Sequence, residues 1–341
     1  MMIKEYDKCK EQIQELIDIA NLEKERLHII TIFDNPYQTD ALSGMIYPIE
    51  IEDIEAGFLC SAEKYTGYMD YKLFEKDLST EIFADPNIKY CVYNTSQQGI
   101  GICRRNYVPM LCEKYQLHNL TCNAYTLSLL MNKAHYFSLL QPFGHIPKTD
   151  IFTSYGLCFK SVNSQYVILK PALECAAVGV KKMENDTLSI IDELRAMRDK
   201  YNQDIILQEY ISGYEVSVPV IRKGDNLIAL PPVWVKFNED ILTYSSVDNF
   251  EYSFSVLPDK EFPYNEVISA LISHASQIMA YINSDGLTRV DYRIKNSKDF
   301  YVFDIAALPV LANTGTCMQS FKYLFGEKES LFKAIIGSVL Y

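Results

Sequence analysis

The sequence has no apolar run near the ~18 residues that a membrane-spanning helix needs. It has no CxxC pair either. Nine cysteines, at 9, 60, 91, 103, 112, 122, 158, 175 and 317, are scattered irregularly, and only Cys103 and Cys112 come close, on what reads as one helical stretch. An odd number so spaced argues against a disulfide framework or a zinc site. Reduced, mostly buried thiols in a cytoplasmic protein are the expectation. Basic charge is also short: 32 Lys and Arg against 44 Asp and Glu give a net charge of −12. A nucleic-acid or anionic-membrane partner needs a basic face and is not expected. A phosphate ligand is not excluded, because a few well-placed lysines and backbone amides suffice for it. The opening MMIKEYDKCKEQIQELIDIA is charged and amphipathic, unlike a signal peptide. Internal repeats and low-complexity segments are absent.

With 341 residues, 48% of them hydrophobic and 22% charged, the chain can bury a sizeable core. At roughly 150 residues per domain it should hold two or three domains. Ile13, Leu16, Ile17 and Ala20 lie at helical spacing, so a helix over 6–22 comes first. Leu27–Phe33 reads as a buried strand ending at Asp34-Asn35-Pro36, and Tyr90–Tyr93 as a second, followed by a helix over Tyr107–Tyr115. Strands alternating with helices over 27–120 predict a small parallel α/β domain. One long helical stretch is expected over 123–141, broken by Pro142–Lys148. Thereafter the segments 166–170, 205–210, 214–221, 227–236, 289–295 and 300–306 read as strands, with helices near 187–201 and 265–283. That pattern is antiparallel α+β, so the composite is α/β plus α+β.

Three segments concentrate residues with chemical use. Lys170-Pro171 ends a strand and is followed by Glu174 and a run of small residues, a loop whose amides can approach phosphates closely. Taken alone, it is also an ordinary small-residue turn. Residues 206–218 read as two strands about a Ser212-Gly213 turn, with Glu209 and Glu215 flanking it; solvated hairpin carboxylates have the same look. In Arg289-Val-Asp291-Tyr-Arg293, alternation puts both arginines and Asp291 on one face, and Asp304 follows on the next strand. Two carboxylates on neighbouring strands suit magnesium, which takes oxygen ligands and keeps several waters. Cross-strand ion pairs have the same composition.

Together, over about 88–335, these segments resemble the ATP-grasp superfamily and, within it, the D-alanine–D-alanine ligase family. VILKPALECAAVGVKK resembles its lysine–proline strand and phosphate-covering lid, and IILQEYISGYEVSVPVI its adenine hinge and ribose hairpin. GLTRVDYRIKNSKDFYVFDIAALP resembles its arginine–aspartate strand and metal-binding strand, and LSLLMNKAHYFSLLQPFGHIP the helix with its first nucleotide lysine. The resemblance implies an ATP-grasp fold divided into a helical extension (1–26), a parallel α/β domain (27–121), a central subdomain (122–204) and a C-terminal subdomain (205–341). It implies ATP held by Lys133 and Lys170 on its phosphates, Glu174 in the lid, Gln208 with Glu209 and Ile211 at the adenine, Glu215 at the ribose and Phe303 on the base. Arg289 would be catalytic, and Asp291 and Asp304 would hold Mg2+, or Mn2+ in its place. The implied reaction is amide-bond formation through an acyl phosphate, on small carboxylate or amino-acid substrates, in a protein that forms homodimers.

The departures from that family gather at the reacting end. Its second metal carboxylate is usually glutamate, here Asp304; the asparagine two residues on is Ala306; the glycine after Leu-Pro is Val310. The lid's glycine and two serines are Cys175, Ala176 and Ala177. A first-loop glutamate is replaced by DNPYQTDALSG, leaving Asp40 or Gln38, and no lysine lies between Lys236 and Lys260. Asn313, Thr314 and Thr316 supply polar groups for a second substrate. Two readings of different class follow: a ligase with substrates other than two D-alanines, and an ATP-binding relative without turnover.

Overall fold

A computed structural model describes residues 2–34, 51–80, 82–97, 101–158 and 160–341. The chain opens with helix α1 (Met2–Glu23). Its apolar stripe, Ile13, Leu16, Ile17 and Ala20, is buried as its spacing requires. The first sheet contains β1 (Leu27–Ile32), β2 (Lys64–Tyr68), β3 (Lys89–Asn94) and β4 (His118–Asn119), in the order β2–β1–β3–β4 and all parallel. Its crossovers are helices α2 (Ile51–Leu59), α3 (Tyr71–Leu78) and α4 (Tyr107–Tyr115). A parallel sheet covered on both faces must be apolar on both. Accordingly Leu27, Ile29 and Phe33 enter one core while Ile30 and Ile32 enter another with α3 and α4.

Two antiparallel sheets follow. The middle one runs β6–β5–β9–β7–β8, from β5 (Thr149–Thr153), β6 (Gly156–Cys158), β7 (Tyr166–Pro171), β8 (Lys181–Glu184) and β9 (Ile205–Glu209). It is backed by α7 (Thr187–Tyr201) through Ile190, Leu194 and Met197. The third sheet has β10 (Tyr214–Lys223), β11 (Asn226–Ala229), β12 (Val233–Lys236), β13 (Ser253–Val256), β14 (Leu287–Ile294) and β15 (Phe300–Ala306). Its order is β13–β12–β10–β14–β15, with β11 pairing β10. Helix α9 (Ile268–Ile282) packs beneath it, and α8 (Tyr244–Asp248), α10 (Thr316–Phe325) and α11 (Glu329–Leu340) complete this part. The fold class is therefore a parallel α/β unit with two antiparallel sheets, as the sequence pattern implied.

Three expectations need correction. The stretch 123–141 is two helices, α5 (Ala124–Met131) and α6 (Lys133–Leu140), separated by Asn132 in extended backbone. The Asn132 side chain accepts from the His135 amide and so competes with continuation of the helix. The break makes Lys133 the first residue of α6, with its amide on the Ala172 carbonyl at 3.0 Å. The stretch 227–236 is two strands, because Pro231 and Pro232 lack the amides a strand needs. Cys103 precedes α4 and does not share a helix with Cys112.

One core joins the two ends of the fold. α1 packs along α11, and Leu16, Phe321, Phe332 and Ile336 share a cluster with β1 and β3. Gly337 makes the contact close: a Cβ there would lie 1.9 Å from the Leu16 carbonyl oxygen, a backbone atom. Gly337→Ala must push the helices apart and should destabilise the protein by about 2 kcal/mol, read as a lower urea midpoint with an unchanged slope.

Candidate functional site

The three sheets meet around a cavity of about 400 Å3. β7 delivers Lys170 to its floor, and the break before α6 delivers Lys133. The Lys133 ammonium donates to the Glu174 carbonyl at 2.9 Å and stands 3.3 Å from Asp304. That of Lys170 donates to Gln208 Oε1 at 3.0 Å and the Phe303 carbonyl at 2.8 Å. Tyr136, from α6, donates its hydroxyl to Asp304 at 2.7 Å. Burial alone would raise the Asp304 carboxyl, but Lys133 and Lys170 hold it below the usual range. Burial takes Lys170 the other way, down to about 7, with Lys133 adding and Asp304 opposing.

The register of β10, β14 and β15 sets the opposite wall. Glu215 faces Arg293 across β10 and β14, and Ser217 faces Asp291. Arg293 stands 3.3 Å from Glu215, and Ser217 donates to Asp291 at 2.7 Å. Arg289 grips Asp291 with two parallel bonds of 2.7 Å, the planar fork matched to a carboxylate. Burial pushes the Glu215 carboxyl up to about 7, against Arg293 and with help from Asp291. Asp291 is paired with Asp304 on β15, and a bulge follows: Tyr292 pairs with Val302, so Phe303 is the extra residue. Strict alternation would send one of two consecutive side chains into the core. The bulge lets Phe303 and Asp304 both line the cavity.

The lid is strained. Ala176 and Ala177 both hold left-handed backbone, φ 49° and 57°. That conformation costs about 1–2 kcal/mol per residue because Cβ crowds the carbonyl. Val310, by contrast, is not among the described residues with positive φ, so its Cβ is accommodated.

The sequence profile described as "D-ala D-ala ligase C-terminus" matches residues 142–337. The chain belongs to the D-alanine–D-alanine ligase family. Among similar proteins, a D-alanine–D-alanine ligase of Flavobacterium johnsoniae is 20% identical over 272 residues, 77% of this chain and 80% of that protein. One of Coprothermobacter proteolyticus is 27% identical over 148 residues, and the match spans only 45% of its length. A D-alanine–D-alanine ligase from Bacillus anthracis, complexed with ATP, superposes with a TM-score of 0.66 at 15% identity, covering 92% of this chain and 97% of that one. The VanG D-Ala:D-Ser ligase of Enterococcus faecalis gives 0.65 at 15%, covering 92% and 99%. The fold is ATP-grasp.

Most residues that the D-alanine–D-alanine ligase resemblance singles out converge on the cavity: Lys133, Lys170, Gln208, Glu215, Arg289, Asp291, Phe303 and Asp304, with Glu209, Ile211 and Thr316 on its walls. Glu209 also accepts from the Lys148 amide at 2.8 Å, which ties β9 to β5. Glu174 lines the cavity but turns its carboxylate to Gln203 at 2.9 Å; its carbonyl is what meets Lys133. Asn313 is not brought there. Its side chain bridges Asp53 and Lys322. Asp40 and Gln38 lie outside the described residues. Sequence reasoning missed Tyr136, Ser217, Thr95 and Arg105, which belong to no spacing pattern; Arg104-Arg105, a basic pair in an acidic chain, was the one available signal.

The shift of Lys170 gives a test. The unfolded lysine titrates near 10.4 and the folded one near 7. Between these values the unfolded state binds more protons, so stability rises with pH there. Below 7 both states are charged and the full cost of burial remains. Wild type should therefore gain on Lys170→Met in melting temperature as pH rises from 7 to 10; a constant difference would contradict the assignment.

Proposed function

We propose that this protein is an ATP-dependent ligase that joins a carboxylate to an amine through an acyl phosphate, and that its substrates are not both D-alanine. One observation carries the reading: two lysines from different elements, a buried glutamine and the Arg289–Asp291–Asp304 group share one cavity. Two cations suit the α- and β-phosphates. Gln208 and the backbone of 209–211 suit an adenine edge, Phe303 its face, and the Glu215 carboxylate a ribose diol. The division into units at 27–121, 122–204 and 205–341, with ATP between the last two, belongs to the same reading. So do small carboxylate or amino-acid substrates, a cytoplasmic homodimer, and no nucleic-acid or membrane partner. No described helix is long and apolar enough to cross a membrane.

A divalent metal fits this donor set in a limited way. Among the described residues no three His, Cys, Asp or Glu cluster as a cage. Two carboxylates on paired strands match magnesium that keeps water and phosphate oxygens for the rest of its shell. Asp291 and Asp304 are the side chains that would hold it, and Ala306 offers no oxygen. When bound, the metal neutralises charge on the phosphoryl oxygens. The chain's own contribution is positioning. Lys133 and Lys170 fix the phosphates in line with the attacking carboxylate. Arg289 faces the charge that develops on the acyl phosphate and on the tetrahedral oxyanion. The burial of Lys133 and Lys170 strengthens each of these interactions.

The substrate difference rests on the polar groups at the reacting end, where hydroxyls and the extra lysine of the family pattern are missing. The second reading, a nucleotide binder without turnover, is favoured by Ala306 and by the mutual occupation of Arg289 and Asp291. Phosphate release from Mg·ATP across D- and L-amino acids, singly and in pairs, separates the two. A ligase releases phosphate with a particular pair and yields the mass of the condensed product. Asp291→Asn should then cut turnover at least about a hundredfold, and unchanged turnover would remove Asp291 from the site. ATP-dependent thermal stabilisation with no release from any pair would favour the binder.

A further inference from the structure

Arg105 is a buried cation in the cavity that no described carboxylate matches. It sits in a short helical turn, Arg104–Asn106, ahead of α4, and is 7% exposed. Its guanidinium crosses from the parallel α/β unit to the lid. One nitrogen donates to the Met131 sulfur at 2.9 Å and another to the Cys175 sulfur at 3.0 Å, with Gln97 Oε1 also on that nitrogen. Nε is buried and has no partner. All three acceptors are neutral, and two are sulfur, a weak acceptor. None of the ion pairs among the described residues includes Arg105.

Three neighbouring cations are differently placed, and Lys170, though bonded only to neutral oxygens, lies in the field of Asp304. Arg289 has Asp291, Arg293 has Glu215, and Lys133 has Asp304. Arginine cannot shed its proton to escape burial, so a guanidinium held among neutral groups is costly until an anion joins it. Two further polar atoms of residues that line the cavity are buried without partners: Thr95 Oγ1, beyond the end of β3, and Thr316 Oγ1, in the first turn of α10. The cavity thus carries unsatisfied donors from both the parallel unit and α10.

Lid connectivity says which anion. Cys175, touched by Arg105, follows Glu174, whose carbonyl holds the Lys133 ammonium. Arg105 therefore stands at the same lid loop as the first phosphate cation, approached from the other unit of the fold. We propose that Arg105 binds the terminal phosphoryl group of the nucleotide, reaching across from the parallel α/β unit to complete the cation set begun by Lys133 and Lys170. Replacement of two sulfur acceptors by phosphoryl oxygens gives the guanidinium charge-assisted bonds and a counter-ion. Closure of the lid on a triphosphate is then coupled to the position of the N-terminal unit, and a diphosphate lacks the group that makes the link.

The inference rests on the nucleotide reading above, and one experiment separates their failures. Calorimetric titration of the full chain with Mg·ADP and with Mg·AMP-PNP, a non-hydrolysable triphosphate, is compared for wild type, Arg105→Gln and Arg105→Lys. Arg105→Gln should weaken AMP-PNP by about tenfold or more while ADP stays within about twofold, and Arg105→Lys should recover part of the loss. Equal losses for both nucleotides, or no loss for either, overturn the role of Arg105 while leaving nucleotide binding intact. Wild type that binds neither nucleotide overturns the reading beneath it as well. If Arg105→Gln does not fold, the AMP-PNP to ADP ratio of Arg105→Lys decides.

Discussion

Asp304 is the carboxylate on which the site depends. It receives Tyr136 from α6, stands against Lys133 at the start of that helix, and lies in the field of Lys170 from β7. A helix and a strand of the middle sheet are thus oriented by one negative charge on the third sheet. Burial alone would raise its carboxyl, and the two lysines hold it below the usual range. The dependence runs both ways, because Lys170, buried beside Lys133, keeps what proton affinity it has by virtue of Asp304. Removing one partner of such a set leaves a buried charge uncompensated, which costs far more than the set contributes when whole. The bulge at Phe303 is the backbone feature that allows this, by turning two successive residues toward the same space.

The strand-ending lysine, the Ser212-Gly213 turn and the arginine–aspartate strand were legible because each is a local pattern of period two or a turn signal. The strands on either side of that turn, β9 and β10, nevertheless enter two different sheets and do not form the expected hairpin. α1, α4, α7 and α9 were legible from their apolar spacing. What escaped was of another kind. α2, β2 and α3 carry mixed polarity, and their burial is decided by the sheet they cover. The division of 123–141 at Asn132 turns on one side chain choosing a cap over a helix. The split at Pro231-Pro232 is written in the sequence as a missing pair of amides, but apolar residues on both sides of it give one continuous run that masks it. Arg105 and Asn313 illustrate the harder limit. One is drawn into the cavity and the other out of it by contacts with residues distant in sequence, Cys175 and Asp53, that no spacing rule connects.

The described departures from the D-alanine–D-alanine ligase pattern fall on the lid between β7 and β8 and at the end of β15. Gln208, Glu209, Lys133 and Lys170 match the family pattern and line the cavity, whereas in the lid Cys175, Ala176 and Ala177 stand where that pattern has a glycine and two serines. The alanines hold a left-handed turn without glycine's freedom, so this loop shape carries a conformational cost.

The seating of α1 on α11 also has a bearing on how the molecule is made. The partners of Ile13 and Leu16 include Phe332 and Ile336, more than three hundred residues later. At roughly 5–20 residues per second of synthesis, the apolar stripe of α1 waits tens of seconds on the ribosome before the helix that covers it exists. The middle sheet, with its own core of Val167, Leu169, Leu194 and Leu207, carries no such delay. The nascent chain thus acquires its middle sheet early and its clasp last, and for that interval the apolar stripe of α1 lacks the cover of α11.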